Sequence, residues 1–227
     1  MEKVVKIELL EYFSEFVTSH KKDFIEKILA ERTNYITVVL EDIFQPQNAS
    51  AVIRTCDCFG IQKIHVVEER NSFNENRDVT LGSAQWVDVI HYKQQNIVSC
   101  VEQLKDEGYT IVATTPGDGG IEINDLKTEN KLALMFGTEI NGLSKKATSM
   151  ADVFVNIPMV GFIDSLNLSV CAAIFLYTLT NKLRDGKIDY HLTDNEKLDL
   201  RLKWMKSIVK NGDVMEKEFF SRRDNGK

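Results

Sequence analysis

Short runs rich in Val, Ile, Leu and Tyr recur along this chain, and stretches with helical periodicity separate them. The runs are Tyr35–Glu41, Lys63–Glu69, Trp86–Tyr92, Tyr109–Thr115, Lys131–Gly137 and Asp152–Pro158. The helical patterns between them are Gln47–Phe59, Gln94–Glu107, Ser144–Ala151 and Ser165–Leu183. Strands alternating with helices pair in parallel, because each helix carries the chain back to the edge where the next strand starts. Such a sheet must be covered on both faces. The pattern therefore predicts an α/β fold, a mostly parallel sheet with helices on both sides. A helical stretch near Ile7–Arg32 precedes it. A last helix is expected from "TDNE", Thr193–Glu196, which has the form of a capping box, and it runs on through Leu198, Leu202, Met205 and Val209. Residues 1–33 are read as an N-terminal helical extension, 34–184 as the α/β domain and 185–227 as a C-terminal helical extension.

Composition narrows the function classes. Hydrophobic residues make up 43% and charged residues 27% of 227 positions, as in ordinary soluble domains. The longest apolar run, "VCAAIFLYTL", is too short to span a bilayer, and "MEKVVKIELLEYF" has no signal-peptide form. A cytoplasmic protein with no membrane association is expected, with Cys56, Cys58, Cys100 and Cys171 as buried reduced thiols. The C-x-C pair has no matching cluster and the four histidines show no ligand spacing, so no metal is expected. Net charge is −6, yet nine Lys and Arg stand against five Asp and Glu between Lys197 and Lys227. A basic tail on an acidic body suits RNA binding at one place, and equally a solvated amphipathic helix.

Ligands of open parallel sheets bind beyond the carboxyl ends of the strands, so the segments that follow each strand carry the functional question. In "QNASAVIRTCDCFG" (47–60), Ala49, Val52, Ile53, Cys56 and Phe59 form an apolar stripe and Asn48 suits an N-cap. Arg54 lies opposite that stripe, as a solvated charge or a side chain aimed at a ligand. "GTEINGLS" (137–144) is neither a Walker loop nor a G-x-G-x-x-G fingerprint, but its glycines around Glu139 suit a sharp turn with backbone close to a ligand. "MVGFIDSLNLSVCAAIFLY" (159–177) places Ser165, Asn167 and Ser169 before an apolar helix, more polar residues than one cap requires.

Taken in order, "QNASAVIRTCDCFG", "LALMFGTEINGLS" and "VNIPMVGFIDSLNLSVCAA" resemble the three motifs of the SPOUT superfamily, in its TrmH (SpoU) branch of RNA ribose 2′-O-methyltransferases. The resemblance covers about Tyr35 to Leu183, and "TLGSAQWVDV" is similar to the tRNA-modifying members. It implies a deep trefoil knot in the C-terminal part of the domain, a homodimer, and S-adenosylmethionine held by Thr114, Gly137, Ile157, Met159 and Leu166. It also implies catalytic roles for Asn48, Arg54, Glu139, Ser165 and Asn167. Arg54 matches the motif-one arginine. A guanidinium, with a pKa above about 12, is a poor base and is better suited to a phosphate or a developing oxyanion. Some members carry histidine before the motif-one asparagine; Gln47 stands there in this chain, so a scheme that needs imidazole at that position does not apply.

The extensions and the "GSAQWV" stretch are most like those of enzymes that methylate guanosine-18 in the D-loop of tRNA. Lys203, Lys206, Lys210, Arg222 and Arg223 are the candidates for backbone contacts. Ribosomal RNA, or another tRNA ribose, is the alternative substrate. A catalytically silent RNA-binding paralogue is the alternative of another class. A flavodoxin-like or dinucleotide-binding oxidoreductase lacks its glycine fingerprint.

Overall fold

The computed structural model describes every residue except 69–70, 72–75, 94–96, 118 and 226–227. Glu69, Gln94 and Lys227, which the sequence reading included in a strand, a helix and the basic tail, lie outside the described residues. Two compact units are present. One is Thr33–Tyr190; the other combines Met1–Arg32 with His191–Lys227.

The first unit holds a seven-stranded sheet of order β3-β2-β1-β6-β4-β7-β5, with every pair parallel. Its strands are β1 Ile36–Glu41, β2 Lys63–Glu68, β3 Asp88–Lys93, β4 Tyr109–Thr114, β5 Ile121–Glu122, β6 Lys131–Phe136 and β7 Val153–Asn156. Successive side chains of a strand point to opposite faces, and β1 shows the consequence. Ile36, Val38 and Leu40 join a core built with α3 (Pro46–Cys58) and α7 (Leu168–Asp185), while Val39 joins the opposite core, with α5 (Ile97–Asp106) and α6 (Lys145–Met150). The short helix α4 (Arg77–Thr80) and a 3₁₀ turn at Ser83–Gln85 complete this unit.

Several boundaries differ from expectation. The 3₁₀ turn takes Trp86 as its C-cap, so β3 starts at Asp88 rather than Trp86. Strand β5 was not anticipated, because two residues carry no periodicity. Of the cysteines, Cys56 and Cys100 are buried, but Cys58 is exposed and Cys171 is half-buried. Two positions beyond Cys56 is about 200° around a helix, which turns Cys58 outward.

The second unit is helical: α1 Lys3–Ser14, α2 Ser19–Ala30, α8 Asp194–Ile208 and α9 Gly212–Asn225. The single N-terminal helix expected from the periodicity is two, because Thr18 starts a new one by accepting a hydrogen bond from the Lys21 amide. The capping box at Thr193 and Glu196 forms as the sequence suggests. The last helix stops at Ile208, and Asn211, at φ 61°, turns the chain into α9. Leu9, Phe13, Ile25, Leu29, Leu202 and Met205 are the core of this unit. Arg32, only 2% exposed, lies over the Trp204 ring at 5.2 Å.

Candidate active site

The carboxyl ends of β4, β6 and β7 open on a cavity of about 480 Å³, within the range of small-molecule sites. Three loops wall it. Thr114 and Thr115 follow β4, residues 137–143 follow β6, and Ile157, Met159 and residues 164–166 follow β7. The five residues expected at a donor site, Thr114, Gly137, Ile157, Met159 and Leu166, all line this cavity, as do Glu139 and Ser165. Phe136, Leu168, Cys171 and Phe175 add apolar wall. Burial pushes the Cys171 thiol up to about 11, so at neutral pH it is uncharged wall and not a nucleophile.

The second loop is a closed turn. Thr138 and Gly142 exchange backbone hydrogen bonds of 2.9 Å in both directions, and the Asn141 amide donates to Thr138 Oγ1 at 3.0 Å. A Cβ on Gly137 would stand inside the Gly142–Leu143 backbone. Glycine is required here by close approach: the chain folds onto itself at the cavity wall with no room for a side chain.

Polar side chains from three distant segments meet beside this turn. Asn48 Nδ2 donates to Glu139 Oε1 at 2.7 Å and to Gln45 Oε1 at 3.3 Å. Asn48 Oδ1 accepts from Asn167 Nδ2 at 3.2 Å. Asn167 Oδ1 accepts from the Ser169 amide at 2.9 Å and from its hydroxyl at 2.6 Å. Glu139 Oε2 accepts from the Phe44 amide at 3.4 Å. Since an ionised carboxylate only accepts, Glu139 fixes which way the Asn48 amide faces, and Asn48 in turn fixes Asn167.

This arrangement corrects two local expectations. Asn48 is not the cap of α3: the helix starts at Pro46, with Gln45 as its N-cap. Proline at the first helical position carries no amide and has its φ preset, so the helix opens before Asn48 and leaves that side chain for Glu139. Helix α7 starts at Leu168 with Asn167 as its cap, so Ser165 belongs to the loop that lines the cavity.

Arg54 is not brought into the Asn48 chain. It is exposed, and six residues along α3 place it about 9 Å further on and about 120° around from Asn48. The basic residues of the tail lie in the helical unit. Lys206 pairs with Asp213 and Glu216, Arg222 with Glu218, and Arg223 with Glu8; Lys203 and Lys210 are exposed. Among the described residues no group of three or more His, Cys, Asp or Glu could hold a metal ion.

Two residues escaped the sequence reading. Asp164 lines the cavity with Glu139, and the described lining holds no Lys, Arg or His. Both carboxylates are exposed, in a lining that mixes Thr114, Thr138 and Ser165 with apolar side chains, and they suit a cationic ligand. Glu41 is 3% exposed and binds Ser144. In the sequence its carboxylate ends the apolar run "YITVVLE", where a charge reads only as the edge of a strand.

Known proteins place this unit among relatives. A family model described as the SpoU rRNA Methylase family matches residues 35–177. The tRNA (guanosine(18)-2'-O)-methyltransferase of Borreliella burgdorferi is 48% identical over 203 residues, covering 89% of this chain and 92% of the relative. The TrmH/SpoU tRNA modifying enzyme of A. aeolicus superposes with a TM-score of 0.75 at 24% identity, covering 84% of this chain and 98% of that one. The SpoU methyltransferase AviRb from Streptomyces viridochromogenes, solved in complex with AdoMet, superposes with a TM-score of 0.58 at 22% identity, over 71% of this chain and 62% of that one. The family match spans more than half of the chain and takes in all three loops that wall the cavity, and on that ground the chain belongs to the SpoU rRNA methylase family.

Proposed function

We propose that the protein transfers the methyl group of S-adenosylmethionine to the ribose 2′-hydroxyl of guanosine-18 in the D-loop of tRNA. The observation that carries the reading is the cavity at the strand ends, where Thr114, Gly137, Ile157, Met159 and Leu166 stand together with Glu139 and Ser165. The Borreliella relative, 48% identical over nearly its whole length, bears the name of this reaction and supports the substrate.

S-adenosylmethionine, when bound, supplies an electrophilic sulfonium methyl. The loops after β4, β6 and β7 would hold it with Thr114, Gly137, Ile157, Met159 and Leu166, and the carboxylates of Glu139 and Asp164 would favour its positive charge. Attack by the ribose oxygen is in line, so holding the two reactants in alignment supplies much of the rate. Asn48, which Glu139 orients, in turn orients Asn167, and this pair would position the ribose. Ser165 shapes the mouth of the cavity. Arg54 holds the neighbouring phosphate or the oxyanion that develops as the hydroxyl proton leaves.

A homodimer belongs to the same reading. A groove between α3 and α7 presents Ala51, Thr55, Phe59, Val170, Ile174 and Tyr177, and Tyr177 is 58% exposed. An apolar face of this kind suits a second subunit. The sheet order, which lays β7 between β4 and β5, supports a knotted path for the C-terminal part of the domain. Lys203, Lys206, Lys210, Arg222 and Arg223 are proposed to meet the tRNA backbone. No described helix is long and apolar enough to cross a membrane, which accords with a cytoplasmic enzyme.

Incubation with unmodified tRNA and with ribosomal RNA, followed by mass-spectrometric mapping, tests the reading. Methyl on the ribose of guanosine-18 is expected; methyl on ribosomal RNA alone moves the substrate, and methyl on a base overturns the reaction. Arg54→Ala should lower transfer about a hundredfold with donor and tRNA binding retained. Near-normal transfer by that variant removes Arg54 from the chemistry.

A further inference from the structure

The segment that runs from the end of β1 into α3 grips the loop after β6 at two points. Glu139 reaches from the loop to the segment, where it meets the Asn48 side chain and the Phe44 amide. Glu41 reaches the other way. Its Oε2 accepts from the Ser144 amide at 2.8 Å and its Oε1 from the Ser144 hydroxyl at 2.7 Å. Ser144 Oγ also accepts from the Ala147 amide at 3.1 Å and so caps α6. The two carboxylates therefore cross-brace the same pair of segments in opposite directions.

We infer that Glu41 is a positioning residue for methyl transfer, acting through Ser144 to hold the loop of residues 137–143 at the donor cavity and Glu139 against Asn48. Three observations carry this. Glu41 is 3% exposed, and both of its oxygens are engaged by one residue, a burial that a carboxylate tolerates only when so paired. The near end of the loop is set by β6, where Phe136 is in register with Leu40, one residue before Glu41. The far end has Ser144 as its anchor to β1, so that loop, Glu139 and cavity wall move together if the anchor is lost. The inference rests on the S-adenosylmethionine reading of the cavity.

The test is a set of variants of the full chain. Glu41→Gln keeps the shape but removes the charge and leaves one acceptor oxygen where the carboxylate has two. Ser144→Ala removes only the hydroxyl, and Ser144→Thr keeps it. S-adenosylmethionine affinity is measured by calorimetry, kcat and the two KM values with unmodified tRNA, and stability by thermal unfolding. Glu41→Gln should weaken donor affinity and lower kcat about tenfold each, with the KM for tRNA within about twofold. Ser144→Ala should show a smaller loss of the same kind and Ser144→Thr parental values. In the double variant Glu41→Gln/Ser144→Ala the losses should not add.

A merely structural carboxylate would lower stability while leaving the split between donor and tRNA parameters unmoved. That result, or Glu41→Gln with parental donor affinity and kcat, overturns the inference. If Glu41→Gln does not fold, the Ser144 pair decides it: equal donor affinity in Ser144→Ala and the parent overturns it. A parent protein that binds no S-adenosylmethionine defeats the cavity reading itself, and the inference with it.

Discussion

In the α/β unit, Glu41 and Asn48 are buried and each answers to named partners across the fold, whereas in the helical unit Lys206 and Arg222 meet their carboxylates at the surface. The two kinds of polar contact differ in what they specify. A buried polar group left without its partner costs about 1–3 kcal/mol, so Glu41 and Asn48 each hold to one arrangement. An exposed ion pair contributes about 0–1 kcal/mol. The ion pairs of Lys206, Arg222 and Arg223 can thus be broken at small cost, as the proposed contacts of these residues with the tRNA backbone require.

The largest effect expected from this contrast is at Gly137. Gly137→Ala places a methyl group inside the Gly142–Leu143 backbone, and the turn must open. Donor affinity should fall roughly a hundredfold or more, equivalent to about 3 kcal/mol, which calorimetry would detect. Parental affinity would show that the interior of the α/β unit is as forgiving as the helical surface, and the comparison would fail.

His65 sharpens the contrast through pH. The ring is 1% exposed, with Nδ1 3.2 Å from the Tyr92 hydroxyl, and burial pushes its pKa down to about 4 from 6.5. The folded state therefore keeps the ring neutral where the unfolded chain takes up a proton. Its contribution to stability is complete above about pH 6.5 and is lost as pH falls toward 4, up to about 3 kcal/mol. Urea unfolding of the parent and of His65→Gln over this range should differ in slope, the variant being flatter. Equal slopes would mean that the ring is protonated without opening the fold.

Lys206→Ala should have the smallest effect. Stability should change by no more than about 1 kcal/mol. The salt dependence of tRNA binding should fall by about one phosphate contact, a change of roughly 0.7–0.9 in the logarithmic slope. An unchanged slope would leave Lys206 a partner of Asp213 and Glu216 alone.

Much of this molecule was legible in its residues. β-branched runs separated by helical periods announced a parallel sheet, and Thr193–Glu196 announced its helix, because both signals are local. That Thr114, Gly137, Ile157, Met159 and Leu166 line one cavity was legible through motif resemblance, since they end or follow strands that hydrophobic patterning already marks. Glu41 was not, because a charge ending a strand reads as the edge of the apolar run until Ser144, 103 positions later, is seen against it. Asn48 misled for a related reason. An asparagine before an apolar stripe suits a cap, and only Pro46 and the distant Glu139 assign it elsewhere.

By itself the sequence determined what depends on near neighbours: the longer strands and the helices between them, and their order, but not β5 or the division of the terminal helices. Only the tertiary structure decided which polar groups meet. Their hydrogen bonds span 91 to 119 residues, and partners so far apart leave no periodicity in the chain. Their distances and directions are set by the sheet that brings β1, β6 and β7 to one end, not by the residues that carry the groups.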